Sequence, residues 1–221
     1  MFDFLEGYDL LGAFWVTVQL TVYSALGSLI WGTLLAGMKV SPVPLMRGFA
    51  TAYVNVVRNI PLTVIIVFSS LGLNQTLNIS LGADVIDDIN FRLAVLALVA
   101  YTAAFVCEAL RAGINTVPVG QAEAARALGL SFTQVLRLVI LPQAFRAVVN
   151  PLSNVLIALT KNTTVASAIG VVEASYLMKD IIDAQAQLIL IALTFGFGFV
   201  VLTLPTGLIL GWVSKKVAVK R

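Results

Sequence analysis

The stretch from Gly120 to Pro142 reads GQAEAARALGLSFTQVLRLVILP. It is the longest stretch in which polar residues interrupt an otherwise apolar sequence. Its alanine-rich first half consists of strong helix formers, and Pro118 precedes it, where a proline is tolerated at a helix start. Gly129 suits the left-handed residue that ends a helix. Ser131 with Gln134 forms a capping box for a new helix. The stretch therefore predicts a short helix, a sharp stop and a second helix. Such a compact helix–turn–helix between membrane spans can be bound by a separate protein.

The rest of the chain has the composition of an integral membrane protein. Of its 221 residues, 59% are hydrophobic and 11% are charged, whereas a soluble domain carries about 25% charged residues. Apolar runs of about 20 residues are therefore interpreted as membrane spans. We predict an all-α fold, a single domain of residues 1–221 with five transmembrane helices and a cytoplasmic loop at about 116–142. The predicted spans are residues 11–38, 49–73, 91–114, 145–172 and 188–213.

Charge asymmetry predicts how these spans are oriented. Acidic residues concentrate on one side of a five-span arrangement and basic residues on the other. The basic side holds Lys39, Arg47, Arg126, Arg137, Arg146, Lys215, Lys216, Lys220 and Arg221. The positive-inside rule then places the N-terminus outside, and the C-terminus and the 116–142 loop in the cytoplasm.

The sequence offers no set of residues for enzyme catalysis. Histidine is absent, the lone Cys107 cannot build a metal site of the usual kind, and no GxxxxGK[ST] phosphate loop occurs. We therefore expect this chain to bind no cofactor, and a partner must hydrolyse any ATP that drives it. The basic balance of the chain indicates orientation in the lipid bilayer rather than nucleic-acid binding.

Charged residues inside the predicted spans are candidate functional residues because each costs free energy in lipid. Glu108 and Arg111 lie three apart on one helical face and can pair. The pair is interpreted either as a structural ion pair or as a contact for a charged or zwitterionic solute. Arg58 precedes Pro61, and interfacial anchoring and a functional role both remain open for it.

The fourth predicted span contains a second group of polar residues. Lys161 lies near the middle of this span with no obvious local partner, and hydrogen-bonding side chains follow it at Asn162, Thr163 and Thr164. This pattern favours the lining of a pore over a structural role. Asn150 and Asn154 are assigned to the backbone groups that Pro151 frees.

The opening stretch also matches a family pattern. Glu123-Ala124-Ala125, three residues, Gly129, nine residues and Val139-Ile140-Leu141-Pro142 resemble the EAA loop of bacterial ABC importer permeases, with Val139 in place of the usual isoleucine. The resemblance covers nearly the whole chain and is to the branch that takes up glutamate, glutamine, histidine, arginine and opines. Lys161 to Thr164 stands where K-D-T-S is common, so the missing acid at Asn162 leaves the substrate's charge open.

This resemblance implies a permease of the type I ABC importer architecture in the bacterial plasma or inner membrane. It implies a homodimer or a sister permease, two ATP-binding subunits that hold ATP and Mg, and an extracytoplasmic amino-acid-binding protein. The residues that it implies for coupling to the ATPase are Gly120, Glu123, Ala124, Ala125, Gly129, Leu141 and Pro142. The expected substrate pathway comprises Lys161, Asn162, Thr163, Thr164, Glu108, Arg111 and Arg58.

Two other classes of protein compete with this interpretation. One is a secondary transporter or channel powered by an ion gradient, and the other is a membrane scaffold without a transport role. The chain shows no internal repeat, and five is an odd number of spans, which argues against two inverted halves.

Overall fold

The computed structural model describes residues 7–185 and 187–217, which form helices joined by short loops. The N-terminal acids before Gly7 and the basic residues Lys220 and Arg221 lie outside the described residues. In chain order the helices are α1 Leu10–Lys39, α2 Pro44–Asn59, α3 Leu62–Phe68, α4 Ile86–Ile114, α5 Val119–Ala127, α6 Phe132–Val135, α7 Leu141–Asn162, α8 Ala174–Gln185 and α9 Leu188–Val217.

Within the described residues, four helical stretches are long and apolar enough to cross a membrane. They are Leu10–Lys39, Ile86–Ile114, Phe132–Ile169 and Leu188–Ile209. A bent pair, Pro44–Asn59 with Leu62–Thr76, passes the same test when it is counted together. The predicted all-α architecture is therefore confirmed, with four candidate spans, or five when the bent pair is counted as one.

The second span is broken, whereas the sequence predicted one continuous run over residues 49–73. The helix direction changes by 103° between the two halves. Proline has no backbone N–H to donate, and it restricts the preceding residue to extended conformations, so Pro61 ends α2. Ile60 is accordingly extended, at φ −93° and ψ 131°. Arg58 therefore lies at the bend itself rather than near the start of a straight span.

The helical stretch that contains the fourth span begins earlier than predicted. Helical structure starts at Phe132, passes through a π-helical turn at Leu136–Ile140 into α7, and continues as a 3₁₀ helix over Thr163–Ile169. It stops at Gly170, whose φ of +83° favours glycine. Lys161 consequently lies at the end of α7 instead of the middle of a span, which corrects the predicted position.

Helix α1 packs closely along α4 through a stripe of small residues. A Cβ atom on Gly32 would come within 2.6 Å of Val106, so only glycine allows this approach. A central core of Leu20, Ile66, Leu98 and Leu159 then joins α1, α3, α4 and α7. This packing holds the facing surfaces of α4 and α7, where the polar residues lie.

Helix α8 lies between the fourth and fifth spans and is fastened to α1 by a buried carboxylate. Glu173 is fully buried and accepts hydrogen bonds from the backbone N–H groups of Ser175 and Tyr176, each at 2.9 Å. The Thr17 hydroxyl of α1 donates to the same carboxylate at 3.4 Å. Burial raises the pKa of Glu173 from its ordinary value of 4.5 to about 7, and these three hydrogen bonds oppose the rise.

Candidate functional site

The predicted short helix and its sharp stop are present as α5 and the turn after it. Pro118 stands at the N-cap of α5, and Gly129 has a φ of +87°. The Leu130 N–H donates to the Ala125 carbonyl at 3.2 Å, and the Gly129 N–H donates to the Arg126 carbonyl at 2.9 Å. This pair of bonds is a Schellman motif with glycine at the left-handed position. The helix therefore ends at a fixed place and angle.

The second helix starts with the predicted capping box. The Ser131 hydroxyl accepts from the Gln134 N–H at 3.4 Å, and the Gln134 side-chain oxygen accepts from the Ser131 N–H at 2.8 Å. Val135 is buried with Ala122 and Ala125, and Leu130 packs against them. These contacts fold the two helices onto one small apolar core, so the loop at about 116–142 is a rigid unit.

The unit exposes both apolar and charged residues to solvent, and together we call them the α5 face. Glu123 and Ala124 are exposed there, and Val119, Leu128 and Phe132 are exposed large apolar residues at 72%, 84% and 70%. An isolated surface of this kind suits a partner protein because it combines apolar area with a charged group.

The predicted coupling residues divide between this face, its core and the next helix. Gly120 is exposed on α5 with open space around it, whereas Ala125 lies in the core. Leu141 and Pro142 begin α7, away from the α5 face. The amide of Gln143 joins the two parts, since it donates to the Gln121 side chain at 2.6 Å. The two glutamines lie 22 residues apart, so no local sequence pattern indicates that they pair.

Glu108 pairs with more cations than the sequence predicted. Its carboxylate accepts from the Lys39 ammonium at 2.5 Å and lies 3.5 Å from the Arg58 guanidinium. The predicted partner Arg111 is more distant, at 4.0 Å. These four residues, the Glu108 cluster, join the end of α1, the bend after α2 and the last turns of α4. The sequence pattern did not indicate this closest partner, because it assigned Lys39 only to the basic side of the five-span arrangement.

A cavity of about 380 Å³ opens between α4 and α7 near this cluster. We call it the Asn162 cavity. Its lining consists of Tyr101, Thr102, Phe105, Asn154, Val155, Ala158 and Asn162. The lining carries amide, hydroxyl and aromatic groups but no carboxylate. The Thr102 hydroxyl lies behind this lining, where it is buried and has no hydrogen-bond partner among the described residues.

The predicted run from Lys161 to Thr164 is divided between several roles. Asn162 lines the cavity, and Lys161 is exposed beside it in sequence. The Thr163 hydroxyl is buried and donates to the Thr160 carbonyl at 2.7 Å, and the Thr164 hydroxyl donates to the Lys161 carbonyl at 2.8 Å. The two threonines therefore satisfy backbone groups of their own helix instead of offering free hydroxyls to a pore.

Asn154 is the cavity residue that sequence analysis placed elsewhere. It was assigned to the backbone groups freed by Pro151, yet it lies on the cavity wall. Ala158 is one helical turn away from it on the same wall, and Asn162 is two turns away. The spacing of four residues from 154 to 158 to 162 was the available signal, because such residues share one helical face.

Comparisons with known proteins agree on one family. Residues 28–219 match the family model described as binding-protein-dependent transport system inner membrane component. The glutamate transport system permease protein GluC of Corynebacterium efficiens is 57% identical, and the match covers 97% of this chain and 96% of that protein. The glutamate/aspartate import permease protein GltK of Escherichia coli O6:H1 is 32% identical, with 92% and 91% covered. A crystal structure of an amino acid ABC transporter with histidines superposes with a TM-score of 0.83 at 28% identity, covering 94% of this chain and 93% of that one.

Proposed function

The chain belongs to the family of binding-protein-dependent transport system inner membrane components, and we propose that it carries glutamate across the membrane as the permease subunit of an ATP-driven importer. That it is a transport permease for polar amino acids follows from the family and from its relatives. The preference for glutamate and the division of labour with other subunits are the proposed parts.

The observation that carries the proposal is the geometry of the α5 face. A capped helix of nine residues, fixed at its end by Gly129, projects an exposed carboxylate and exposed apolar side chains from a small rigid core. We expect an ATP-binding subunit to hold this face in a cleft, with Glu123 opposite a basic group. ATP and Mg²⁺ then belong to that subunit, and this chain supplies no catalytic residue.

Rigid-body motion transmits the effect of ATP binding to the membrane. Because α4 leads into α5 and α6 leads into α7, movement of the α5 unit changes the relation between the two helices that enclose the Asn162 cavity. Two permeases, either identical or sister subunits, would rock against each other as the ATPase dimer closes. An extracytoplasmic binding protein would deliver the amino acid to the opposite side.

The cavity wall supports an acidic amino acid as the substrate. Asn154 and Asn162 offer neutral hydrogen-bonding groups on this wall. A carboxylate on this wall would repel the side chain of glutamate in a low-dielectric site, and none is present on it. The lining therefore suits an anionic side chain better than a cationic one.

Charge asymmetry supports the proposed orientation in the cell membrane. The α5 unit and the basic residues around it would face the cytoplasm, where the ATPase must dock. The described N-terminal end of α1 and the Asp87–Asp88 end of α4 would face outside.

Replacing Asn162 by aspartate tests the assignment of the cavity. The variant adds one negative charge without a change in side-chain size, so we expect ATP-driven uptake of glutamate to fall about tenfold more than uptake of glutamine. Asn115→Asp is the matched control, since Asn115 is exposed at the end of α4 and does not line the cavity. Equal uptake of glutamate by the Asn162 variant and the wild type would show that the cavity is not on the substrate pathway.

A further inference from the structure

The Glu108 cluster holds more positive charge than it can neutralise internally. Lys39, Arg58 and Arg111 all lie within 4.0 Å of one carboxylate, so three cations face a single anion. With three cationic side chains and one carboxylate, the cluster has a formal net charge of +2.

The surplus charge resides on the two arginines. The Lys39 side chain is 9% exposed and makes the shortest contact with Glu108, so its charge is paired with this carboxylate and has little access to solvent. Arg58 and Arg111 are 44% and 47% exposed and lie 3.5 and 4.0 Å from the carboxylate. Each guanidinium has five N–H donors, and one shared carboxylate cannot satisfy both. The two half-exposed arginines therefore keep donors that a further anion can reach from solvent.

The cluster adjoins the Asn162 cavity through one aromatic ring. The Arg58 guanidinium carbon lies 5.5 Å from the centre of the Phe105 ring, within the range of a cation–π contact. Phe105 lines the cavity, and its ring centre is 5.0 Å from that of Tyr101. A solute that passes Phe105 toward the end of α4 therefore leaves the neutral cavity wall and meets Arg58.

We propose that Arg58 and Arg111 form a second, inner binding site for a carboxylate, with Glu108 and Lys39 as its fixed support. The ligand class is the anionic side chain of an acidic amino acid on its way from the Asn162 cavity to the cytoplasm. Planar guanidinium groups suit this ligand because they can bind a carboxylate with two parallel hydrogen bonds. This inference rests on the proposed function, since it requires that the cavity carries the substrate.

Binding of radiolabelled L-glutamate and L-glutamine to the permease–ATPase complex in nanodiscs tests the site. The two amino acids differ in one charge, and omission of the binding protein and of ATP removes their contribution to selectivity. For Arg58→Met we expect the affinity for glutamate to fall about tenfold more than the affinity for glutamine. Arg111→Met should change the ratio in the same direction, which covers the case in which one variant fails to assemble. Arg47→Met is the control, because Arg47 is an exposed cation of α2 outside both the cluster and the α5 unit.

Glu108→Gln separates a binding site from a structural ion pair. It removes the competing carboxylate and leaves the three cations, so the ratio of glutamate to glutamine affinity should hold or rise. Equal losses for both amino acids in the Glu108 and Arg58 variants would show a purely structural cluster and overturn the proposal. An unchanged ratio in Arg58→Met, with loss of bound phosphatidylglycerol from nanodiscs that contain it, would assign the charge to a lipid and overturn it as well.

Failure of the inner site and failure of the proposed function give different results. If the wild-type complex binds and transports neither amino acid, the proposed function is wrong and the inner site falls with it. If the wild type transports glutamate but both arginine variants keep its affinity ratio, only the inner site is wrong.

Discussion

Replacement of Gly129 by valine should uncouple the permease from its ATPase without unfolding it. Gly129 has a φ of +87°, and a Cβ atom added there would meet no heavy atom within 4 Å. The cost of a side chain is therefore confined to the backbone, and for a left-handed residue it is about 1–2 kcal/mol. A β-branched residue lies at the upper end of this range because it disfavours positive φ most strongly.

This cost is large for one turn but small for the whole fold. A change of 1–2 kcal/mol alters a conformational ratio by a factor of about 5–30. The Schellman bonds to Ala125 and Arg126 would be lost in most molecules, and α5 would tilt relative to the helix that starts at Phe132. The membrane helices share no contact with the new side chain, so insertion and yield should stay normal.

Co-purification and ATPase stimulation in nanodiscs measure the effect, with binding protein and amino acid present. We expect Gly129→Val to lose most of the stimulated ATP hydrolysis at unchanged membrane levels. Gly129→Asn should retain it, since asparagine tolerates the left-handed conformation. Gly48→Val adds the same side chain in open space at an exposed helical position of α2 and should be close to wild type. Full stimulation in Gly129→Val would refute the argument that a left-handed turn fixes the coupling helix.

Three further predictions concern the α5 face, the orientation and the buried acid. Glu123→Lys should abolish co-purification with the ATPase by charge mismatch, while the melting temperature of the permease stays unchanged; retained co-purification would remove Glu123 from the interface. Cysteines at Asp87 and Lys216 should react oppositely with an impermeant reagent in intact cells, and labelling at Lys216 alone would reverse the topology. The raised pKa of Glu173 means that the folded state binds more protons than the unfolded state between pH 4.5 and about 7. The thermal stability of the permease should therefore fall as pH rises through that window, and Glu173→Gln should remove the slope, whereas the same slope in both proteins would contradict it.

The capped turn was predictable from sequence because its determinants are local. Pro118, Gly129, Ser131 and Gln134 act on neighbours within a few residues, and each takes the predicted role in the structure. The motif therefore indicates both the conformation and the family.

The Glu108 cluster was only partly predictable because its closest contact is long-range. Lys39 and Glu108 lie 69 residues apart, at the ends of α1 and α4, and no local pattern relates them. Only the packing of α1 along α4 brings them together. The predicted pair with Arg111, three residues away, is present but is the most distant of the three contacts.

The broken second span and the early start of the helix that contains the fourth span show what hydropathy alone does not predict. A run of apolar residues indicates a membrane span but does not show whether its helix is straight. The sequence shows Pro61, but the size of the bend at this proline, 103°, is set by tertiary packing that the sequence does not show. Polar residues before Phe145 concealed that the fourth helix starts at Phe132, so Lys161 appeared nearer to the middle of the span than it is.

ATP-driven uptake of glutamate into proteoliposomes tests the central claim most directly. The permease is reconstituted with its ATP-binding subunit and binding protein, and radiolabelled glutamate is supplied on the side of the binding protein. We expect uptake that requires ATP, stops with vanadate and is lost in Gly129→Val but not in Gly48→Val. Uptake that persists without the ATP-binding subunit and follows an imposed ion gradient would contradict the account.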